Sequence, residues 1–182
     1  MQRRDLLAGI GFSLLAITGI PKPSLGLGGI TPAIGQSAPS FSLPGTSLTE
    51  PNRDHWELEQ FKGSWLIVYF YPKDFTTGCS IEARGFEAIQ KQLKAAGAFV
   101  VGISADEVDD HASFCSQESL SFPLLSDPDG LVSKGYGSWM APSSLRHTFL
   151  IDPEGILRER WLTVRPRAHA QEVLNQLTSL QS

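Results

Sequence analysis

Chemistry in this chain is concentrated in one stretch, Tyr69-Phe-Tyr-Pro-Lys-Asp-Phe-Thr-Thr-Gly-Cys-Ser-Ile-Glu-Ala-Arg84. Trp65 to Tyr71 is an apolar run that reads as a strand. Pro72 ends it, a short polar loop follows, and a helix opens near Gly78, so Cys79 falls in that helix's first turn. A helix start leaves four backbone N–H groups without partners and carries the positive end of the macrodipole. Both favour thiolate over thiol: a free cysteine has a pKa of ~8.5, and such placement lowers it by ~1–5 units. Thr76 is a residue type that caps helix starts. Its hydroxyl, three residues before Cys79, can accept a backbone N–H while its own proton turns to the sulfur. The bland alternative is an inert thiol, because free cysteine is among the most buried residue types.

The elements that must position these residues follow from hydrophobic spacing. Ile34 to Gly45 alternates apolar and polar at Phe41 and Leu43, which predicts a short early strand. Trp56 to Phe61 suits a strand edge or a helical turn. Trp65 to Tyr71 is the continuous apolar run of a central buried strand. From Gly78 to about Ala96, Phe86, Ile89, Leu93 and Ala96 recur at helical spacing, and the same stripe runs back through Ala83 to Cys79. Gly97 stops the helix. Ala98 to Ser104 is a second buried strand. Asp106 is placed to cap a helix to about Ser119, with Val108, Ala112 and Cys115 inward. Phe122 to Leu125 predicts a short strand, Asp127-Pro128 a short helix towards Tyr136, and His147 to Ile151 a further strand. Asp152-Pro-Glu-Gly155 has hairpin-turn chemistry, so residues 156–164 return antiparallel. Residues 167–180 predict a terminal helix with Val173, Leu174, Leu177 and Leu180 inward. Strands alternating with helices, closed by a hairpin, predict an α/β sandwich with a mixed central sheet.

With 41% hydrophobic and 19% charged residues, the chain can bury a core. Residues 1–30 read separately, as an export leader before one domain, 31–182. Arg3-Arg4 precede an uncharged run from Leu6 to Ile20, then a Pro- and Gly-containing patch, the plan of a secretory signal. The run is short of the ~20 apolar residues of a membrane span. Arg3-Arg4-Asp5-Leu6-Leu7 also resembles a twin-arginine signal. No clean Ala-x-Ala cleavage site follows, so an uncut leader serving as a membrane tether stays open. The expected destinations are the periplasm or, in a photosynthetic cell, the thylakoid lumen. The formal charge is −4, and −6 once Arg3, Arg4, Lys22 and Asp5 are set aside with the leader. A mildly acidic domain without a basic block argues against nucleic-acid binding. Two cysteines make no disulfide scaffold or zinc knuckle, and His55, His111, His147 and His169 lack metal-ligand spacing.

Pro72-x-x-x-Thr76-x-x-Cys79, between an apolar strand and a helix, resembles the active-site signature of peroxiredoxins. Ala38-Pro39-Ser-Phe-Ser-Leu43, Tyr71-Pro-Lys-Asp74, Phe122-Pro-Leu-Leu-Ser-Asp127 and Arg146-His-Thr-Phe-Leu-Ile-Asp152 are similar to the bacterioferritin-comigratory, or peroxiredoxin Q, branch. The resemblance runs from about Ile34 to the C-terminus. It implies a thioredoxin-like fold and a thiol peroxidase that reduces hydrogen peroxide and organic hydroperoxides through a Cys79 sulfenic acid. It implies that Arg146 lies over the pocket, donating to sulfur and peroxide, and that Pro72 shields the thiolate. Glu82 occupies a family-like position, although a solvated acid near a helix start is the reading preferred here. No metal or organic cofactor is implied; the expected partners are the peroxide and a thioredoxin-like reductant, with a monomer or weak dimer.

Two departures stand out. Thr77 replaces the proline common in this branch, and Arg84 stands where a second cysteine is often found. Some members place the resolving cysteine in the next helix, where this chain has Cys115. That reading competes with a small inert core residue, because a bridge needs Cα atoms within about 7 Å. Two alternatives stay open: a one-cysteine peroxidase with an external resolver, and a non-enzymatic thioredoxin-fold interaction module. A thioredoxin-type oxidoreductase wants Cys-x-x-Cys, and residue 82 is Glu.

Overall fold

A computed structural model describes residues 24–182. In chain order it contains β1 (Ser24–Gly26), β2 (Gly29–Thr31), β3 (Ser42–Thr46), β4 (His55–Glu57), a 3-10 turn (Leu58–Phe61) and β5 (Trp65–Phe70). Then come α1 (Thr77–Ala88), α2 (Gln90–Ala95), β6 (Ala98–Ser104), α3 (Val108–Glu118), β7 (Leu124–Ser126) and α4 (Leu131–Gly135). The chain closes with β8 (Trp139–Met140), β9 (Ser143–Ser144), β10 (His147–Ile151), β11 (Leu157–Trp161) and α5 (Pro166–Gln181).

Seven strands form one mixed sheet in the order β11-β10-β5-β6-β7-β3-β4. β5, β6 and β7 are parallel; β10 joins β5, and β3 joins β7, antiparallel. The expected hairpin is β10–β11. Its turn is held by Asp152, whose Oδ1 accepts the N–H of Ile156 at 2.8 Å.

The apolar run of β5 serves two cores at once, because successive side chains point to opposite faces. Ile67 and Tyr69 join Phe86, Leu93, Phe114, Val173 and Leu177 beneath α1, α2, α3 and α5. Leu66, Val68 and Phe70 join Val101, Ile103, Tyr136 and Phe149 on the other face. Each large apolar side chain buried in this way contributes roughly 1.5–3 kcal/mol. This two-sided burial makes β5 the fixed platform from which the loop to Cys79 departs.

Several elements differ from expectation. The helix expected over 78–96 breaks at Ile89 (φ −106°, ψ 9°), where the Ile89 N–H bonds back three residues to Phe86; Phe86, Ile89 and Leu93 still face inward. Glu107, not Asp106, is the N-cap residue of α3. Asp106 is engaged elsewhere, its Oδ2 accepting from the Ser104 hydroxyl and the Asp74 N–H. Ala112 is exposed, and α3 turns His111, Phe114 and Cys115 inward instead. Burying Phe114 removes far more apolar area from water than burying Ala112. Leu180 is exposed in the last turn of α5.

Most of the expected leader, residues 1–23, lies outside the described residues. Residues 24–31 form the β1–β2 hairpin, and Gly28 bridges to Ser138. A Cβ at Gly28 would stand 2.3 Å from the Gly137 carbonyl oxygen, so this close approach requires glycine. Arg160 donates to the Thr31 hydroxyl at 2.8 Å and also to the Pro32 carbonyl. The boundary expected at residue 30 falls inside this hairpin.

Candidate active site

β5 delivers the chain to Tyr71, whose N–H still bonds Ile103 at 3.1 Å. Pro72 then breaks the ladder, since it has no N–H to give. The loop passes through Phe75 at φ 59°, a left-handed value that is uncommon without glycine. Thr76 is the extended N-cap residue of α1, and its carbonyl accepts the Ser80 N–H at 2.9 Å. Cys79 is the third residue of α1 and is buried.

Arg146 arrives from the far end of the sequence, in the bend just before β10. β10 pairs with β5, with His147 opposite Phe70, so Arg146 stands beside the loop that β5 feeds. Its Nη2 donates to Cys79 Sγ at 3.2 Å, and its Nη1 donates to Glu82 Oε2. Glu82 lies one turn beyond Cys79 on the same helix face. It therefore anchors one arm of the guanidinium and aims the other at the sulfur. Gly78 leaves room for this: a Cβ there would stand 3.1 Å from Nη2.

The electrostatics follow from burial. The Glu82 side chain is fully buried and its Oε1 has no hydrogen-bond partner among the described residues. Desolvation pushes its pKa up to about 7, against the downward pull of Arg146. Burial also works against the Arg146 charge, but Glu82 and Cys79 outweigh it and raise its pKa above the usual value. One positive charge thus serves two acidic groups. An apolar groove opens alongside, lined by Leu145, Leu162 and Val164 with Arg146 itself. A separate cavity of about 140 Å³ lies at the other end of β5, among Leu58, Phe61, Leu66 and Ile151, and contains none of these groups.

The AhpC/TSA family profile matches residues 34–160. The chain belongs to the AhpC/TSA family. A putative peroxiredoxin bcp of Coxiella burnetii is 40% identical over 152 residues, covering 79% of this chain and 97% of that protein. Among solved structures, a Xylella fastidiosa PrxQ mutant superposes with a TM-score of 0.75 at 32% identity, covering 82% of this chain and 97% of the other. The bacterioferritin comigratory protein of Xanthomonas campestris, described for its alkyl peroxide reduction activity, gives 0.71 at 31% identity, covering 77% and 92%. This chain is a peroxiredoxin of the Bcp/PrxQ branch, a thiol peroxidase with the thioredoxin-like fold.

In this peroxiredoxin the structure brings Cys79 and Arg146 into contact and sets half-buried Pro72 and exposed Thr76 at the two ends of the loop before Cys79. The Thr76 hydroxyl does not cap the helix; it donates to the Lys73 carbonyl at 3.1 Å, so it must rotate to reach the sulfur or a substrate. Cys115 is fully buried and unpaired, as Cys79 is. Burial, with Asp74 and Glu87 adding, pushes the Cys115 thiol up to about 12. Both cysteines belong to one apolar cluster.

Glu82 is the residue whose role sequence reasoning misjudged, since it is not solvated. The signal was there: Cys79, Glu82, Ala83 and Phe86 share the inward stripe of α1, and a buried acid demands a cation. The raised pKa of Glu82 makes stability depend on pH. An acid with a folded pKa above its unfolded value favours the folded state while protonated, so this stability is present below about pH 4.5 and lost as pH rises through about 7. Relative to Glu82→Gln, the native protein is expected to lose on the order of 2–3 kcal/mol between pH 5 and 8. Urea unfolding of both proteins across that range checks it; a pH-independent difference overturns it.

Proposed function

We propose that this peroxiredoxin reduces organic hydroperoxides, alkyl peroxides among them, and hydrogen peroxide, with Cys79 as the nucleophile. The observation that carries the reading is the Arg146 N–H on Cys79 Sγ at a helix start. The anionic sulfur attacks the terminal oxygen of the O–O bond. The S–O bond forms, the O–O bond breaks, and the departing oxygen takes a proton to leave as alcohol or water. Arg146, the Thr76 hydroxyl after rotation, and the free N–H groups of the first turn of α1 are the donors for charge developing on that oxygen. Pro72 keeps water from the sulfur. Cys79 is left as sulfenic acid.

Cys115 is the resolver in this reading. Its thiol sulfur displaces the sulfenic hydroxyl, which leaves as water with the thiol proton, and a Cys79–Cys115 disulfide results. Burial first has to be relieved, because a thiol held at about 12 supplies little nucleophilic sulfur. A thioredoxin-like dithiol then reduces the disulfide by exchange. Export fits this cycle, since disulfides persist in oxidising compartments. Arg3-Arg4 and the uncharged run after them support it, as does a family match that begins only at residue 34.

The test is Cys115→Ser with one equivalent of alkyl hydroperoxide, read by mass spectrometry, followed by thioredoxin-coupled turnover. The variant is expected to oxidise Cys79 at the native rate and to stop after one turnover. Full turnover would instead establish a one-cysteine peroxidase. No oxidation of Cys79 in either protein would leave an interaction module.

A further inference from the structure

The most densely bonded buried cluster outside the Cys79–Arg146–Glu82 group ties the loop before Cys79 to the helix that carries Cys115. Its centre is Asp74. The Asp74 Oδ2 lies 2.7 Å from His111 Nδ1, and its Oδ1 accepts the Tyr71 hydroxyl at 2.8 Å. Its N–H donates to Asp106 Oδ2 at 2.9 Å, and Asp106 is itself held by the Ser104 hydroxyl. The other ring nitrogen of His111, Nε2, lies 3.2 Å from the Leu125 carbonyl. The imidazole is thus held at both nitrogens, by the Asp74 carboxylate on one side and the Leu125 carbonyl on the other. The two side chains are 0% and 1% exposed, so no water competes for that contact.

Two further contacts join the same elements. Phe75, in the loop at φ 59°, lies edge-on to Phe114 with ring centroids 5.2 Å apart. Glu118 accepts the Ser80 hydroxyl at 2.9 Å and pairs with Arg84 at 3.2 Å. His111, Phe114, Cys115 and Glu118 follow one another at helical spacing, so Cys115 sits between the ties. The ties are unequal. Arg84 is 59% exposed, and such pairs hold weakly. Breaking a buried pair from one side is costly, so the Asp74–His111 bridge dominates.

We propose that Asp74 and His111 are positioning residues for the peroxidase reaction. Their bridge latches the Cys79 loop to α3 in the arrangement that attacks peroxide, and its release governs how soon Cys115 captures the oxidised Cys79. The second half of the proposal rests on Cys115 as resolver. While the latch holds, Cys115 stays buried and Cys79 sulfenic acid remains open to a second peroxide, which adds an oxygen to give sulfinic acid and releases an alcohol. When it opens, α3 can yield Cys115 and the disulfide forms with loss of water. The latch therefore sets the partition between recycling and inactivation.

Asp74→Asn tests this with little change of shape. The amide keeps partners for Tyr71 and His111 but replaces a charge-assisted bond with a neutral one, about half as strong, so opening is expected to be about tenfold easier. With cumene hydroperoxide, the variant should form the Cys79–Cys115 disulfide about tenfold faster than the native protein and accumulate correspondingly less sulfinic acid at excess peroxide. Amide exchange across Val108–Glu118 in the reduced protein should quicken by a similar factor. A merely structural role would lower global stability without moving the disulfide-to-sulfinic ratio. Native partition together with native exchange overturns the latch. If the native protein forms no disulfide, Cys115 as resolver falls, and unchanged α3 exchange and Cys79 oxidation rate then overturn the latch independently. His111→Gln, which keeps an amide donor towards Asp74, gives the same readouts if Asp74→Asn does not fold.

Discussion

Cys79→Ser is expected to reduce peroxide consumption to the buffer background. In the proposed reaction, acceleration of ~10⁶-fold or more depends on one nucleophile, and a serine hydroxyl without an adjacent general base is a poor one. Cys115 cannot substitute, because it is fully buried and pushed up to about 12. The fold should survive. Serine is close to cysteine in size, and its oxygen can accept the Arg146 N–H that Sγ accepts at 3.2 Å. Stopped-flow peroxide consumption, with a thermal melt alongside, measures both. Turnover above background in a folded Cys79→Ser protein would move the chemistry elsewhere.

Arg146→Gln is expected to slow Cys79 oxidation by about 10²–10³-fold, the usual loss when one donor to developing negative charge is removed. The guanidinium does two jobs with one group, donating to Sγ and to Glu82. Removing it also leaves a fully buried acid without its partner, which protonates and costs about 1–3 kcal/mol in stability as an unsatisfied buried group. The two effects can be separated. Adding Glu82→Gln to Arg146→Gln should restore most of the stability and none of the rate. Arg146→Lys should fall between the extremes, since a single ammonium cannot match the planar fork that reaches both partners. An Arg146→Gln oxidation rate within threefold of native would remove Arg146 from the mechanism.

The fold was most legible where one-dimensional pattern and burial coincide. Ala98–Ser104 and His147–Ile151 are strands over the expected residues, because a run of apolar β-formers buried on both faces has few other uses. Reading was weakest on α3. Val108, Ala112 and Cys115 form a plausible apolar stripe, yet the helix rolls to bury His111 and Phe114. Spacing alone could not foresee that a histidine would be drawn inward, because its partner Asp74 lies 37 residues earlier. Asp106 was misplaced for a related reason. A good capping residue was claimed instead by Ser104, two residues back, and by the Asp74 N–H, which meets it only after β6 is laid beside β5.

By itself the sequence pointed to the nucleophile of the proposed reaction and to its setting. Pro72, Thr76 and Cys79 lie within eight residues, so strand end, loop and helix start follow from local preferences. It also marked Arg146, though only through resemblance to a family. Tertiary structure decided everything that depends on burial and on pairing between distant segments. The β10–β5 register brings Arg146 to the sulfur, and packing buries Glu82 where it holds that arginine. The Cys79 loop is likewise bolted to α3 by Asp74 and His111. Local sequence can specify where a thiol sits on its helix. The positive charge beside it comes from Arg146, 67 positions away, and the loop's tie to α3 from His111, and only packing brings these into reach.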